Sequence, residues 1–169
     1  MLTKIQMAAD PPSKDVRELL SSAVTHVKAG DLDDALTTLK KLLERDPKNE
    51  IALALLAAIW CDLGLHGRGV EGFRKLLGRN PDNPLTRIQL GLAQRAAGQR
   101  DLALATWQPG VEADEVAALY WGGLVHYESG APDEARKMLA RAAEVTGPNH
   151  PLYPAVRELL ALVEGARPP

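Results

Sequence analysis

The chain has 169 residues, of which 25% are charged and 4% are aromatic, and its net charge is −2. Alanine and leucine dominate with 25 and 27 copies, whereas a β-sandwich or barrel needs many β-branched and aromatic residues. The charge balance provides no basic surface for nucleic acid. No apolar run reaches the roughly 18 residues needed for membrane insertion. These classes are therefore excluded, and the composition predicts an all-α protein of one domain or one short array.

Residues 1–12 end in Asp10-Pro11-Pro12 and are predicted to form a flexible leader, in which a helix over residues 2–9 is only weakly encoded. No basic flank precedes a long apolar core, so this segment is unlike a signal peptide. Cys61 is the single cysteine, which excludes an intramolecular disulfide and a multi-cysteine metal site. We expect a cytoplasmic location, or a periplasmic one if a targeting segment has been removed.

Four glycines recur along the chain with spacings of 34, 34 and 32 residues: Gly30, Gly64, Gly98 and Gly130. A small residue stands seven positions before and five positions after each of them, and a bulky apolar residue stands nine positions after. The small residues before are Ala23, Ala57, Gly91 and Gly123; those after are Ala35, Gly69, Ala103 and Ala135; the bulky residues are Leu39, Phe73, Trp107 and Leu139.

Each unit of this pattern predicts two helices. The recurring glycine follows the first helix, where a left-handed backbone favours glycine, and Pro47, Pro81 or Pro148 stops the second. Small residues allow two helices to approach closely, and bulky residues fill the space beside the crossing. Such pairs cannot bury their apolar faces alone, so the units must stack. Ser13 is placed to cap the first helix.

This repeated helix–turn–helix unit resembles the tetratricopeptide repeat (TPR) family. The resemblance implies a right-handed α-solenoid with four units over residues 13–148, at about 15–48, 49–82, 83–114 and 115–148. Residues 149–169 would form a capping helix and tail, in which Leu152, Val156, Leu159, Leu160 and Val163 follow helical spacing. Pro109-Gly110 interrupts the third unit, and we expect its second helix to break or kink near Gln108.

No pattern typical of an enzyme, a cofactor or a metal ion is found. The four histidines are His26, His66, His126 and His150; they fall in different parts of the array without ligand spacing. The spaced glycines of residues 67–72 follow no strand, so they do not indicate a phosphate loop. Asp31, Asp33 and Asp34 suit the first turn of a helix. Cys61 is interpreted as a small core or groove residue. We therefore expect a non-enzymatic protein with no cofactor.

In the TPR family, partner peptides usually bind a concave groove lined by the first helix of each unit. The corresponding positions in this chain are mostly apolar. The predicted partner-binding residues are Leu20, Val24, Val27, Ala58, Cys61, Ile88, Leu92, Arg95, Tyr120, Leu124 and Tyr127. Such a surface favours a protein or peptide with apolar anchors. Alternatively, these side chains pack between helices, are covered by the leader or the capping helix, or mediate self-association.

One branch of the family clamps the carboxylate tails of heat-shock chaperones with charged groove residues. The positions corresponding to that clamp are uncharged here, which argues against this function: Leu20, Val24, Leu55, Leu85 and Gln89. The leading hypothesis is a scaffold for assembly of a bacterial multiprotein complex. The alternative is a chaperone similar to the translocator chaperones of type III secretion, whose middle repeat resembles residues 90–103. Those chaperones usually have three repeats behind a longer helical N-terminus, whereas this chain has four behind a short leader.

Overall fold

The computed structural model describes residues 13–165, and within them the chain forms nine α-helices and no strand. The helices are α1 (Lys14–Ala29), α2 (Leu32–Arg45), α3 (Glu50–Asp62), α4 (His66–Arg79), α5 (Pro84–Ala96), α6 (Arg100–Glu112), α7 (Val116–Glu128), α8 (Pro132–Val145) and α9 (Tyr153–Gly165). The first eight helices form four packed pairs, and each pair packs on the next. The fold is the predicted all-α solenoid, with α9 packed on the last pair.

The helix ends carry the predicted signals. All four recurring glycines have positive φ angles, between 74° and 81°. After α1, the amide of Gly30 donates to the carbonyl of Val27 at 3.1 Å, so the left-handed residue satisfies a helix-terminal carbonyl. At the start of α1, the Ser13 hydroxyl accepts from the amide of Val16 at 3.3 Å, which confirms the predicted cap. Asn49 and Asn83 cap α3 and α5 in the same way.

The small residues lie at the helix crossings, as the repeat predicted, and all eight are buried. The bulky residue of each unit is also buried beside the crossing. In the third unit, a Cβ atom on Gly91 would lie 2.1 Å from Nε1 of Trp107. The indole Nε1 donates to the carbonyl of Ile88 at 3.3 Å. The glycine therefore makes room for the indole ring.

Of the break or kink expected near Gln108, the break does not occur. Helix α6 continues through Pro109 and ends at Glu112. The proline lies only three residues before the helix end, so it disturbs a single turn, and Gly110 is held against α7, where an added Cβ would lie 2.8 Å from that of Ala118. Asp114, with a φ of 57°, then reverses the chain as the glycines do elsewhere.

Helix α9 buries the apolar side chains that the sequence placed on its inner face. Val156 and Val163 are fully buried, Leu159 and Leu160 are nearly so, and Leu152 lies just before the helix begins. The leader predicted for residues 1–12 and the last four residues of the tail lie outside the described residues. None of the helices in residues 13–165 is long and apolar enough to cross a bilayer.

Candidate interaction groove

The groove face is the side of α1, α3, α5 and α7 that carries the eleven predicted partner-binding residues. Ten of the eleven are half-buried, so part of each side chain remains available to a ligand. Ile88 is the exception. It is only 9% exposed and packs in the core with Trp107 and Ala118, which removes it from the groove surface. Its assignment as a partner-binding residue is therefore corrected.

The first helix contributes an open depression of about 420 Å³. Leu20 and Val24 supply its apolar surface, and Ser21 and Thr25 add hydroxyl groups. Arg17 and Lys28 lie at its two ends and bring positive charge beside Leu20 and Val24. This part of the groove can accept an apolar anchor with a polar or acidic neighbour.

A smaller depression of about 170 Å³ lies between α3 and α5. Ala58 and Cys61 line it from α3, and Leu92 lines it from α5. Burial, followed by the negative charge of Asp62, raises the pKa of the Cys61 thiol. The thiol therefore stays protonated at neutral pH and acts as a small apolar group rather than as a nucleophile.

An ion pair crosses the groove face between the third and fourth units. The guanidinium of Arg95 on α5 donates from Nε to the Glu128 carboxylate on α7 at 3.1 Å. Both side chains are about one-third exposed, so this pair is reachable from solvent. It offers a ligand a polar contact beside the apolar residues of the groove face.

The fourth unit is less open than the sequence suggested. Tyr120, Leu124 and Tyr127 pack on the cluster that includes Leu159 and Val163 of α9. The ring of Tyr120 also makes an edge contact with Trp121, with the ring centroids 4.9 Å apart. The capping helix therefore covers part of this surface, as the alternative interpretation allowed, and the available groove is concentrated on α1, α3 and α5.

Two exposed apolar residues extend the groove face beyond the predicted set. Ile51 is 58% exposed at the start of α3, and Leu85 is 67% exposed at the start of α5. They lie seven residues before Ala58 and Leu92, which places them on the same helix faces. The recurring signal was available, because both stand 13 residues before a repeat glycine. They are the most exposed large apolar side chains within residues 13–165.

Within residues 13–165, no three histidine, cysteine, aspartate or glutamate side chains come together so that they could hold a metal ion. The described polar groups of the groove are isolated or paired, and the surface between them is apolar.

Two sequence models, both described as tetratricopeptide repeat, match residues 1–59 and residues 88–163. Together they account for most of the chain.

The chain belongs to the tetratricopeptide repeat family.

Similar proteins agree with this TPR assignment. A tetratricopeptide repeat and J domain-containing co-chaperone of Fusarium oxysporum is 31% identical over 97 residues. This match covers 57% of the chain but only 19% of the co-chaperone, so the chain spans about a fifth of that protein.

Solved structures show the same TPR fold. MamA has a TM-score of 0.71 and 21% identity over 90% of this chain and 82% of its own. A thermophilic TPR protein of Thermus thermophilus has a TM-score of 0.69 and 23% identity, covering 89% and 82%. A TPR protein of Parabacteroides merdae has a TM-score of 0.72 and 19% identity, covering 90% and 61%. TPR proteins bind protein partners and are generally non-enzymatic interaction modules.

Proposed function

We propose that this TPR protein is a scaffold that binds an apolar peptide or helix of a partner protein in its groove, in the assembly of a bacterial multiprotein complex. The observation that carries the proposal is the strip formed by Ile51, Ala58, Leu85 and Leu92 on neighbouring helices. Ile51 and Leu85 are large and exposed, and Ala58 and Leu92 are half-buried beside them, so the strip favours a partner that removes it from water. The free thiol of Cys61 suits the reducing cytoplasm, where we place this function.

The charges beside the strip define the partner further. Arg17 and Lys28 flank the first depression, and Arg95 is already paired with Glu128. The partner that fits best therefore has two or three apolar anchors and a carboxylate near the end that reaches α1. Because the apolar strip occupies most of the surface, an acidic tail without anchors fits poorly.

The test is a selection of displayed random peptides on the full chain. Leu85→Glu is the main variant, because its side chain is 67% exposed and a charge there does not disturb the core. We expect selected peptides to lose at least about tenfold in affinity for this variant. Leu92→Glu, lower in the groove, should have the same effect, with the helical circular dichroism spectrum unchanged.

Leu102→Glu on α6 is the matched control, since Leu102 is also a half-exposed leucine, at 50%, outside the groove face. Its affinity for the selected peptides should equal that of the natural sequence. Peptides that bind all three variants equally would show that the groove assignment is wrong.

A further inference from the structure

A second concave site lies between α3 and α4, with a volume of about 620 Å³. We call it the α3–α4 crevice. Leucine and tryptophan side chains line it, together with two glycines and a row of charged residues. Its lining residues are Leu53, Leu56, Trp60, Gly67, Arg68, Glu71, Gly72, Lys75, Leu76 and Arg79. A volume of this size is within the range of specific ligand sites.

The crevice is separate from the groove. On α3 the groove face carries Ala58 and Cys61, whereas the crevice is lined by Leu53, Leu56 and Trp60. At 100° per residue, the centres of these two sets lie about 140° apart around the helix axis. A ligand in the crevice therefore contacts the opposite side of α3 from a ligand in the groove.

Two glycines of α4, Gly67 and Gly72, line the crevice. Gly72 stands eight residues after its repeat glycine, where the third and fourth units carry Thr106 and Met138. In those units the position is occupied, since Thr106 donates to Gln94 at 2.7 Å and Met138 packs on Gly122. In the second unit, Gly72 instead lets α4 approach α3 closely, since an added Cβ would lie 2.8 Å from that of Ala57 and 3.8 Å from the ring of Trp60. The open space is at Gly67, where an added Cβ would meet no atom within 4 Å.

The floor of the crevice is apolar and only partly covered. Leu53, Leu56 and Trp60 are half-buried, although Trp107 in the third unit is completely buried. Leu56 packs on the core cluster of the first unit and Leu53 on that of the second, so the crevice follows the boundary between two clusters. Bulky apolar groups in a concave site of this kind are typical anchors for a partner's side chains.

One edge of the crevice is basic. Arg68, Lys75 and Arg79 face a single acidic residue, Glu71, which pairs with Lys75 at 2.9 Å. Arg68 and Arg79 form no ion pair or hydrogen bond with other side chains of residues 13–165. They are 11 residues apart on one face of α4, which corresponds to about 16 Å. Two available cations at this separation match carboxylates spread along a peptide, whereas a fatty acid carries only one.

We propose that the α3–α4 crevice is a second protein-binding site, which takes an acidic amphipathic helix with bulky apolar anchors on one face and carboxylates along its edge. Such a helix would place its anchors on Leu53, Leu56 and Trp60 and its carboxylates near Arg68 and Arg79. With the groove on the other side of α3, the chain would hold two partner segments at once.

The decisive variant is Gly67→Leu, which places a side chain in the open space of the crevice. Gly78→Leu is the matched control, because it lies on the same helix, also has open space, and does not line the crevice. Both changes replace a helical glycine by a better helix former, so both variants should fold. Displayed random peptides are selected on the full chain and then sorted by their affinity for the two variants.

We expect a class of peptides that loses at least about tenfold in affinity for Gly67→Leu and none for Gly78→Leu or Leu85→Glu. These peptides should be rich in Asp and Glu, should carry large apolar residues at helical spacing, and should change the fluorescence of Trp60. Their affinity should also fall with Arg68→Gln and Arg79→Gln and with added salt.

Three results would overturn the proposal. The first is that no peptide distinguishes Gly67→Leu from Gly78→Leu. The second is that laurate, used as a probe with one carboxylate, binds in a Gly67→Leu-sensitive manner while peptides do not. The third is self-association of the chain that Gly67→Leu abolishes, which would assign the crevice to a second copy. A failure of the groove variants leaves these outcomes unaffected, so the two proposals are tested independently.

Discussion

At single positions, the space next to a helical glycine is used in different ways. Beside Gly91 the space is filled by the indole of Trp107, whose Nε1 also finds a partner in the carbonyl of Ile88. Beside Gly67 the space is empty and contributes to the α3–α4 crevice. The same residue type therefore supports packing in one unit and a candidate site in another.

The two kinds of glycine should respond oppositely to alanine. Gly91→Ala places a methyl group against Trp107, and we expect the free energy of unfolding to fall by about 1–3 kcal/mol. Gly78→Ala, where the space is open, should raise it by up to about 1 kcal/mol through helix propensity. Urea unfolding of both variants checks this. An unchanged or higher stability of Gly91→Ala would show that the indole has room to move.

The repeat pattern predicted the small and bulky core positions, because those residues recur in register in every unit. It did not predict that Ile88 is buried while Leu92 remains at the surface, although both were placed on the groove face. Ile88 is buried in one cluster with Trp107, whose Nε1 donates to the Ile88 carbonyl, whereas Leu92 only packs on the edge of that cluster. Ile51 and Leu85, which extend the groove, both lie 13 residues before a repeat glycine. The prediction of groove residues did not include this position.

At the level of elements, α6 shows tertiary contacts prevailing over a local signal. Pro109 lacks an amide donor and crowds the preceding turn, and it predicted a break. The helix nevertheless continues to Glu112, because Trp107 and Gly110 are both buried against neighbouring helices. Beyond it, Asp114 binds Arg141 on α8 at 2.8 Å, and this hydrogen bond lowers the pKa of the Asp114 carboxyl.

Replacing Pro109 should therefore stabilise the protein. Pro109→Ala restores the amide donor and removes the steric conflict without changing the packed residues, so we expect the free energy of unfolding to rise by about 1–3 kcal/mol. Pro132→Ala is the control, since proline is favoured at the start of α8, and it should change the free energy by less than about 1 kcal/mol. Chemical denaturation measures both. A loss of stability in Pro109→Ala would mean that the proline itself shapes the contact with α7.

At the scale of the whole molecule, every substantial contact joins helices that are adjacent or next-but-one along the chain. This follows from stacked units and was predictable from the repeat. The sequence did not decide whether α9 covers the fourth unit, because the residues on α7 suit contact with either a ligand or a helix. The result is a groove that is most available on α1, α3 and α5, opposite the α3–α4 crevice.

Because contacts are local, a substitution that destabilises one end of the array should leave the stability of the other end unchanged. Val163→Ala removes two buried methyl groups from α9, at a cost of about 2 kcal/mol. Amide hydrogen exchange should then accelerate roughly thirtyfold in α7, α8 and α9, while α1 to α3 keep their protection. Val16→Ala in α1 is the reciprocal control and should accelerate exchange in the first unit alone. If either variant accelerates exchange along the whole array, the units unfold as one, and the groove and the crevice must share a single cooperative core.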